Sequence, residues 1–233
     1  MKREVIIACD FQDQKEVLNF LDRFTDEKPF VKIGMEVFYG GGPAIVREIK
    51  ARGHKIFLDL KLHDIPNTVY RSMGKLAELD VDMVNVHAAG SIEMMRAARR
   101  ALDERGSSAL LLAVTQLTST SEEVMQRELW INHSMADTVC HYALNAKQAG
   151  CNGVVCSPLE AKLVAETCGS GFVTVTPGIR FASDAKGDQK RVTTPAMAYA
   201  LGSSFIVVGR SITGAEDPVA AYHRAKREFS EGM

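Results

Sequence analysis

Three observations predict a single (β/α)8 barrel, an α/β fold built on one parallel sheet. The chain contains eight short apolar runs, amphipathic helix-length segments lie between them, and its 233 residues show no second compositional zone. One barrel spanning residues 1–233 as a single catalytic domain is therefore the expectation, since such barrels commonly reach this size. A doubly wound open sheet is the structural alternative. It is weakened because no GxGxxG follows the first run.

The elements follow in order. VIIACD (5–10) reads as the first strand, and KEVLNFLDRF (15–24) after it carries apolar residues at helical spacing. FVKIG (30–34) is the second strand. PAIVREIKARG (43–53) behind it ends in a basic residue and glycine, which suits a helix C-terminus. The third strand, KIFLDLK (55–61), alternates with period two. VYRSMGKLAELD (69–80) leads to the fourth, MVNVHA (83–88), and IEMMRAARRALDERG (92–106) leads to the fifth, ALLLAVT (109–115). The long segment 121–150 reads as helical in two pieces and holds the only tryptophan, Trp130. GVVCS (153–157), FVTVTPG (172–178) and FIVVG (205–209) complete the eight. The connection 178–195 is polar and lacks helical periodicity; a long irregular segment in a compact domain is usually functional or disordered.

Composition excludes several classes of function. Apolar residues make up 46% and charged residues 24%, with a formal net charge of -1, so no basic excess marks a nucleic-acid surface. Any phosphate must then be held by a local site. Cys9, Cys140, Cys151, Cys156 and Cys168 are odd in number and show no CxxC spacing. They read as reduced, mostly buried thiols of a cytoplasmic protein. The six histidines form no zinc-like cluster. The apolar run VIIAC is too short for a signal peptide, and no run approaches membrane-spanning length.

The charges are the informative part. In FLDLKLHDIPNTV (57–69), Asp59 and Lys61 are two residues apart and are expected to share the barrel-facing side, with Asp64 in the loop beyond. Polar residues recur at other strand ends, where barrel enzymes collect catalytic groups: Asp10, Lys32, His87, Thr118, Arg180 and Arg210. Each has a structural alternative. Asp64 can cap a helix starting near Pro66, Asp10 and His87 can be hydrogen-bonded structural groups, and Lys32 can snorkel to solvent. Their convergence argues otherwise, because a buried ion network is weak evidence for stability and better evidence for a working site. At the end of strand eight, Gly209 lets a backbone N–H approach an anion and Arg210 supplies charged donors. Loops after strands seven and eight commonly bind phosphate in such barrels.

DLKLHDIPNTV, together with FVKIGMEVF, VNVHAAG, AVTQLTS, VTPGIR and IVVGRSIT, closely resembles orotidine 5'-phosphate decarboxylases of the bacterial branch, over nearly the whole chain. The resemblance implies cofactor-free conversion of orotidine 5'-monophosphate to UMP and CO2, the last step of de novo pyrimidine nucleotide synthesis. It implies a homodimer with two shared active sites. Carried across by position, Lys61 protonates C6, with Asp59 and Lys32 in the same charged network. Asp64, Ile65 and Thr68 reach the neighbouring subunit's site. Asp10 and Lys32 contact the ribose and Thr118 the pyrimidine, while Arg180, Gln189, Gly209 and Arg210 hold the phosphate. The 178–195 connection, with Gln189, is expected to close over that phosphate.

Two other readings compete. A magnesium-dependent barrel, such as a 3-keto-gulonate 6-phosphate decarboxylase or hexulose-phosphate synthase, needs an acid near the end of strand two, where Lys32 stands. A non-enzymatic phosphate-binding or scaffold protein leaves the charges on strand three unexplained.

Overall fold

Eight parallel strands close in chain order, with the last paired back to the first. The computed structural model describes residues 3–184 and 193–232. The strands are β1 (Glu4–Ala8), β2 (Phe30–Gly34), β3 (Ile56–Leu62), β4 (Met83–His87), β5 (Leu110–Val114), β6 (Gly153–Val155), β7 (Val173–Ile179) and β8 (Phe205–Val208). Each apolar run of the sequence supplies one strand, with ends differing by at most two residues. The chain is a (β/α)8 barrel.

Helices cover the outside. They are α1 (Gln14–Leu21), α2 (Met35–Ala51, kinked at Gly42 and Pro43), α3 (Pro66–Ala77), α4 (Ser91–Asp103), α5 (Glu122–Glu128), α6 (Met135–Gln148), α7 (Pro158–Cys168), α8 (Pro195–Ala200), α9 (Arg210–Thr213) and α10 (Pro218–Glu231). The 121–150 segment is thus helical in two pieces, α5 and α6, as its pattern predicts. Asp13, Ser121, Ser134 and Asp217 accept bonds from the first backbone N–H groups of α1, α5, α6 and α10, which have no partner within the helix. Ser157 and Glu160 form a reciprocal capping box at α7.

Strand alternation divides the apolar side chains into two layers. Ile6, Phe30, Phe57, Met83, Leu112 and Phe205 pack together inside the barrel. Ile7, Val31, Leu58, Val84, Leu111 and Val208 pack in the layer between sheet and helices. Burial on both faces explains why most strands read as continuous apolar runs. Each such side chain contributes about 1.5–3 kcal/mol. The inner layer fills the lower part of the barrel, so polar groups have room only above it, at the C-terminal ends of the strands.

Candidate active site

Four charged groups meet above that apolar floor. Lys32 Nζ lies 2.8 Å from Asp10 Oδ1 and 3.4 Å from Asp59 Oδ2, and Lys61 Nζ lies 2.7 Å from Asp59 Oδ1. Lys32 and Asp59 are 9% and 8% exposed, so Lys32 does not snorkel to solvent. Register explains the meeting: Ala8 pairs with Lys32, and Gly34 with Asp59, which brings the inward positions of three neighbouring strands to one level. Gly34 ends β2 without a side chain, and a Cβ there would stand 3.2 Å from both Asp10 Oδ1 and Lys32 Nζ.

The charges stabilise one another. Burial opposes the charged form of Asp59, but Lys32 and Lys61 outweigh it and hold the carboxyl below its ordinary range. Burial likewise opposes the Lys32 ammonium, and Asp59 with Asp10 raises its pKa above the ordinary value. Opposite charges about 4 Å apart attract by roughly 4 kcal/mol at an effective dielectric near 20, before desolvation is subtracted.

Lys61 reaches Asp59 through a backbone irregularity. Leu58 pairs with Val84 but Leu62 pairs with Val86, so β3 bulges between them. Within the bulge Lys61 has a φ of 51°. A left-handed conformation costs a non-glycine residue about 1–2 kcal/mol. Asn85 of β4 spans the bulge. Its Oδ1 accepts the Lys61 backbone N–H at 2.7 Å, and its Nδ2 donates to Asp59 Oδ1 at 2.6 Å. Asn85 is absent from the residues singled out in the sequence, although it stands two positions from both Met83 and His87 and so shares their inward face.

Two adjoining cavities, of about 270 and 430 Å³, share Lys32, Pro177 and Val207. The first is lined by Asp59, Lys61 and Thr118 together with apolar Phe57, Val155 and Cys156. The second is lined by Asp10, Arg180, Gly209 and Arg210. Burial and the nearby Arg210 lower the pKa of Arg180, which remains a cation at neutral pH. The site is therefore basic at one end and apolar, with ammonium groups in its wall, at the other.

The other expected residues lie elsewhere. Asp64, Ile65 and Thr68 are exposed and do not line either cavity. Asp64 does not cap α3: the N-cap is Ile65, whose own N–H donates to Asp64 Oδ1 at 2.7 Å, and Pro66 opens the helix. His87 sits with its ring 5.5 Å from that of His63. Burial, His63 and Lys61 lower its pKa against the pull of Asp59, so it is neutral at pH 7. Gln189 lies outside the described residues, as does much of the 178–195 connection. Among the described residues, no group of three or more His, Cys, Asp or Glu side chains is arranged to hold a metal ion. No helix among them is long and apolar enough to cross a membrane. The five cysteines are free, and burial pushes the Cys9 thiol up to about 12.

Known proteins share this architecture. The family model described as "Orotidine 5'-phosphate decarboxylase / HUMPS family" matches residues 3–225. An orotidine 5'-phosphate decarboxylase of Geobacillus sp. (strain WCH70) is 55% identical over 233 residues, 98% of each chain. One from Fusobacterium nucleatum is 53% identical over 232 residues, covering all of this chain and 98% of the relative. The crystal structure of orotidine 5'-phosphate decarboxylase from Lactobacillus acidophilus superimposes with a TM-score of 0.88 at 44% identity, covering 98% of this chain and all of that one.

Proposed function

The chain belongs to the orotidine 5'-phosphate decarboxylase / HUMPS family and is a decarboxylase of orotidine 5'-phosphate in pyrimidine biosynthesis; from that premise we propose that Lys61 delivers the proton to C6 as CO2 leaves and UMP forms. One observation carries the reading. The chain of charges Asp10–Lys32–Asp59–Lys61 runs through both cavities, with contacts of 2.8, 3.4 and 2.7 Å.

Loss of CO2 leaves an electron pair in the plane of the ring, where the ring cannot delocalise it. A fixed ammonium beside C6 offsets that charge as it develops and then donates the proton that completes UMP. Asp59 holds Lys61 in place from 2.7 Å. Because these charges are positioned before the substrate arrives, the transition state is stabilised without reorganisation. Lys32 and Asp10 are suited to the ribose hydroxyls, one as donor and one as acceptor, since Lys32 lines both cavities and Asp10 stands beside it in the second. Thr118 can hydrogen-bond the pyrimidine edge. Arg180, Arg210 and the Gly209 backbone form the phosphate end, where charged N–H donors match a dianion.

The magnesium-dependent reading is disfavoured by charge. The end of β2, where that chemistry needs an acid, carries the Lys32 ammonium, already placed against two carboxylates. A metal cation there would be repelled.

A second copy of the chain completes the site in this reading. Asp64, Ile65 and Thr68 are exposed at the same end of the barrel as Lys61, yet they stay out of their own chain's cavities. Exposure of Ile65 at 66% supports its burial in an interface between copies. A cytoplasmic location fits the free thiols and the biosynthetic role.

The test is UMP formation from orotidine 5'-monophosphate in the presence of EDTA. Turnover that persists with chelator is the expected result; turnover that needs added magnesium, or none at all, overturns the reading.

A further inference from the structure

The geometry points to Asn85 as a positioning residue for the reaction: its amide ties the Lys61 backbone to the Asp59 carboxylate and so fixes the proton donor in the cavity. The inference rests on the decarboxylase reading above.

The bulge in β3 disrupts its ladder with β4 between Leu58 and Leu62, just where Lys61 lies. A buried backbone N–H without a partner costs about 1–3 kcal/mol. Asn85, itself 1% exposed, supplies the partner from the neighbouring strand through Oδ1 at 2.7 Å. The other end of the same amide donates to Asp59 Oδ1 at 2.6 Å, the oxygen that also receives Lys61 Nζ at 2.7 Å. One side chain thus contacts the backbone of the donor and the acid that holds its ammonium.

The chemistry of the position calls for an amide. The Lys61 N–H requires an acceptor and the Asp59 carboxylate requires a donor, and asparagine offers both at one length. A leucine of similar size offers neither. A carboxyl offers both only while protonated. The left-handed turn at Lys61 further explains why a tether is needed. Without one, the strand relaxes toward an ordinary extended geometry and carries the ammonium away from C6. Misplacement by about 1 Å is enough to cost roughly 10²-fold in rate.

Asn85→Ala and Asn85→Asp test this, each assayed on enzyme shown by calorimetry to be folded. For Asn85→Ala, kcat is expected to fall roughly 10²-fold while KM and the dissociation constant for UMP stay within a few-fold, because donor placement matters chiefly in the transition state. For Asn85→Asp, kcat relative to wild type is expected to recover as pH falls and the new carboxyl takes up a proton. The groups facing Asp59 are Lys32 on β2, Lys61 on its own strand and His87 on β4, with Asp10 behind Lys32. All are unchanged in both variants.

The carboxyl carbon resonance of Asp59, followed through a pH titration of each variant, gives a readout independent of turnover. It is expected to titrate at higher pH than in wild type. At pH 7, a kcat within three-fold of wild type in the folded variants, or an Asp59 titration unmoved from wild type, overturns the assignment. Should wild-type enzyme make no UMP, the decarboxylase reading falls, while the Asp59 titration still decides whether Asn85 holds the pair. If Asn85→Ala does not fold, Asn85→Asp, which keeps size and acceptor, carries the test alone.

Discussion

Lys61 reaches back along its own strand to place Nζ 2.7 Å from Asp59 Oδ1, with its backbone at a φ of 51°. A regular strand would have put both side chains on one face but would not have turned the lysine backbone into the left-handed region. Bulges near active sites re-aim side chains in this way. The contact holds the ammonium against Asp59 in the wall of the cavity that both residues line.

Replacement of Lys61 by alanine is expected to lower kcat by at least about 10²-fold, the lower range for loss of a positioned acid. Binding of UMP should change little, since in the proposed role the ammonium acts where charge develops. Steady-state kinetics and UMP calorimetry check this. A kcat within a few-fold of wild type removes the assigned role.

Lys61→Ala and Asp64→Ala should complement each other if sites are shared. In a mixed dimer one site combines both defects, and the other draws Lys61 from one chain and Asp64 from its partner. Activity should return toward half of the wild-type site count per heterodimer when inactive variants exchange subunits. Differential tagging verifies exchange. No recovery despite exchange means that Asp64 acts within its own chain.

Arg210→Ala should weaken use of the phosphorylated substrate. A hydrogen bond to a charged group is worth about 1.5–3 kcal/mol, so kcat/KM should fall by roughly 10- to 100-fold. A substrate truncated to the nucleoside lacks the phosphate and should show almost no difference between variant and wild type. An equal loss on both substrates would place the arginine's effect elsewhere.

The charge network also predicts a pH dependence of stability. Asp59 has its pKa depressed in the fold, so its contribution is present above the unfolded value, about 3.9, and is lost as pH falls through the folded one. Lys32 has its pKa raised, so its contribution is complete below about 10.4 and is lost as pH rises through the folded value. Asp59→Asn removes one partner from a buried pair and should cost about 3 kcal/mol at pH 7. Thermal melts from pH 7 down to the lowest pH at which wild type still folds should show the gap to wild type narrowing below about pH 3.9, where the unfolded carboxylate begins to take up a proton. A gap that does not change with pH would show that packing, not charge, sets it.

The sequence by itself determined the barrel and the level of its site. Eight apolar runs separated by helical patterns admit few arrangements, and period-two alternation puts Lys32, Asp59 and Asn85 on inward faces once the strands pair in chain order. Asn85 was legible by that same rule, but a neutral amide in MVNVH carries no charge to draw notice. Tertiary structure alone decided the rest. The bulge at Lys61 depends on how β3 registers against β4, a contact between residues 24 positions apart, and no local propensity encodes it. The capping alternative for Asp64 was likewise open in the sequence, because an acid before Pro66 fits a cap equally well. Backbone geometry resolved it by making Ile65 the N-cap and leaving Asp64 exposed. Local periodicity carries burial and direction, whereas the partner of each polar group depends on which strand the fold brings alongside.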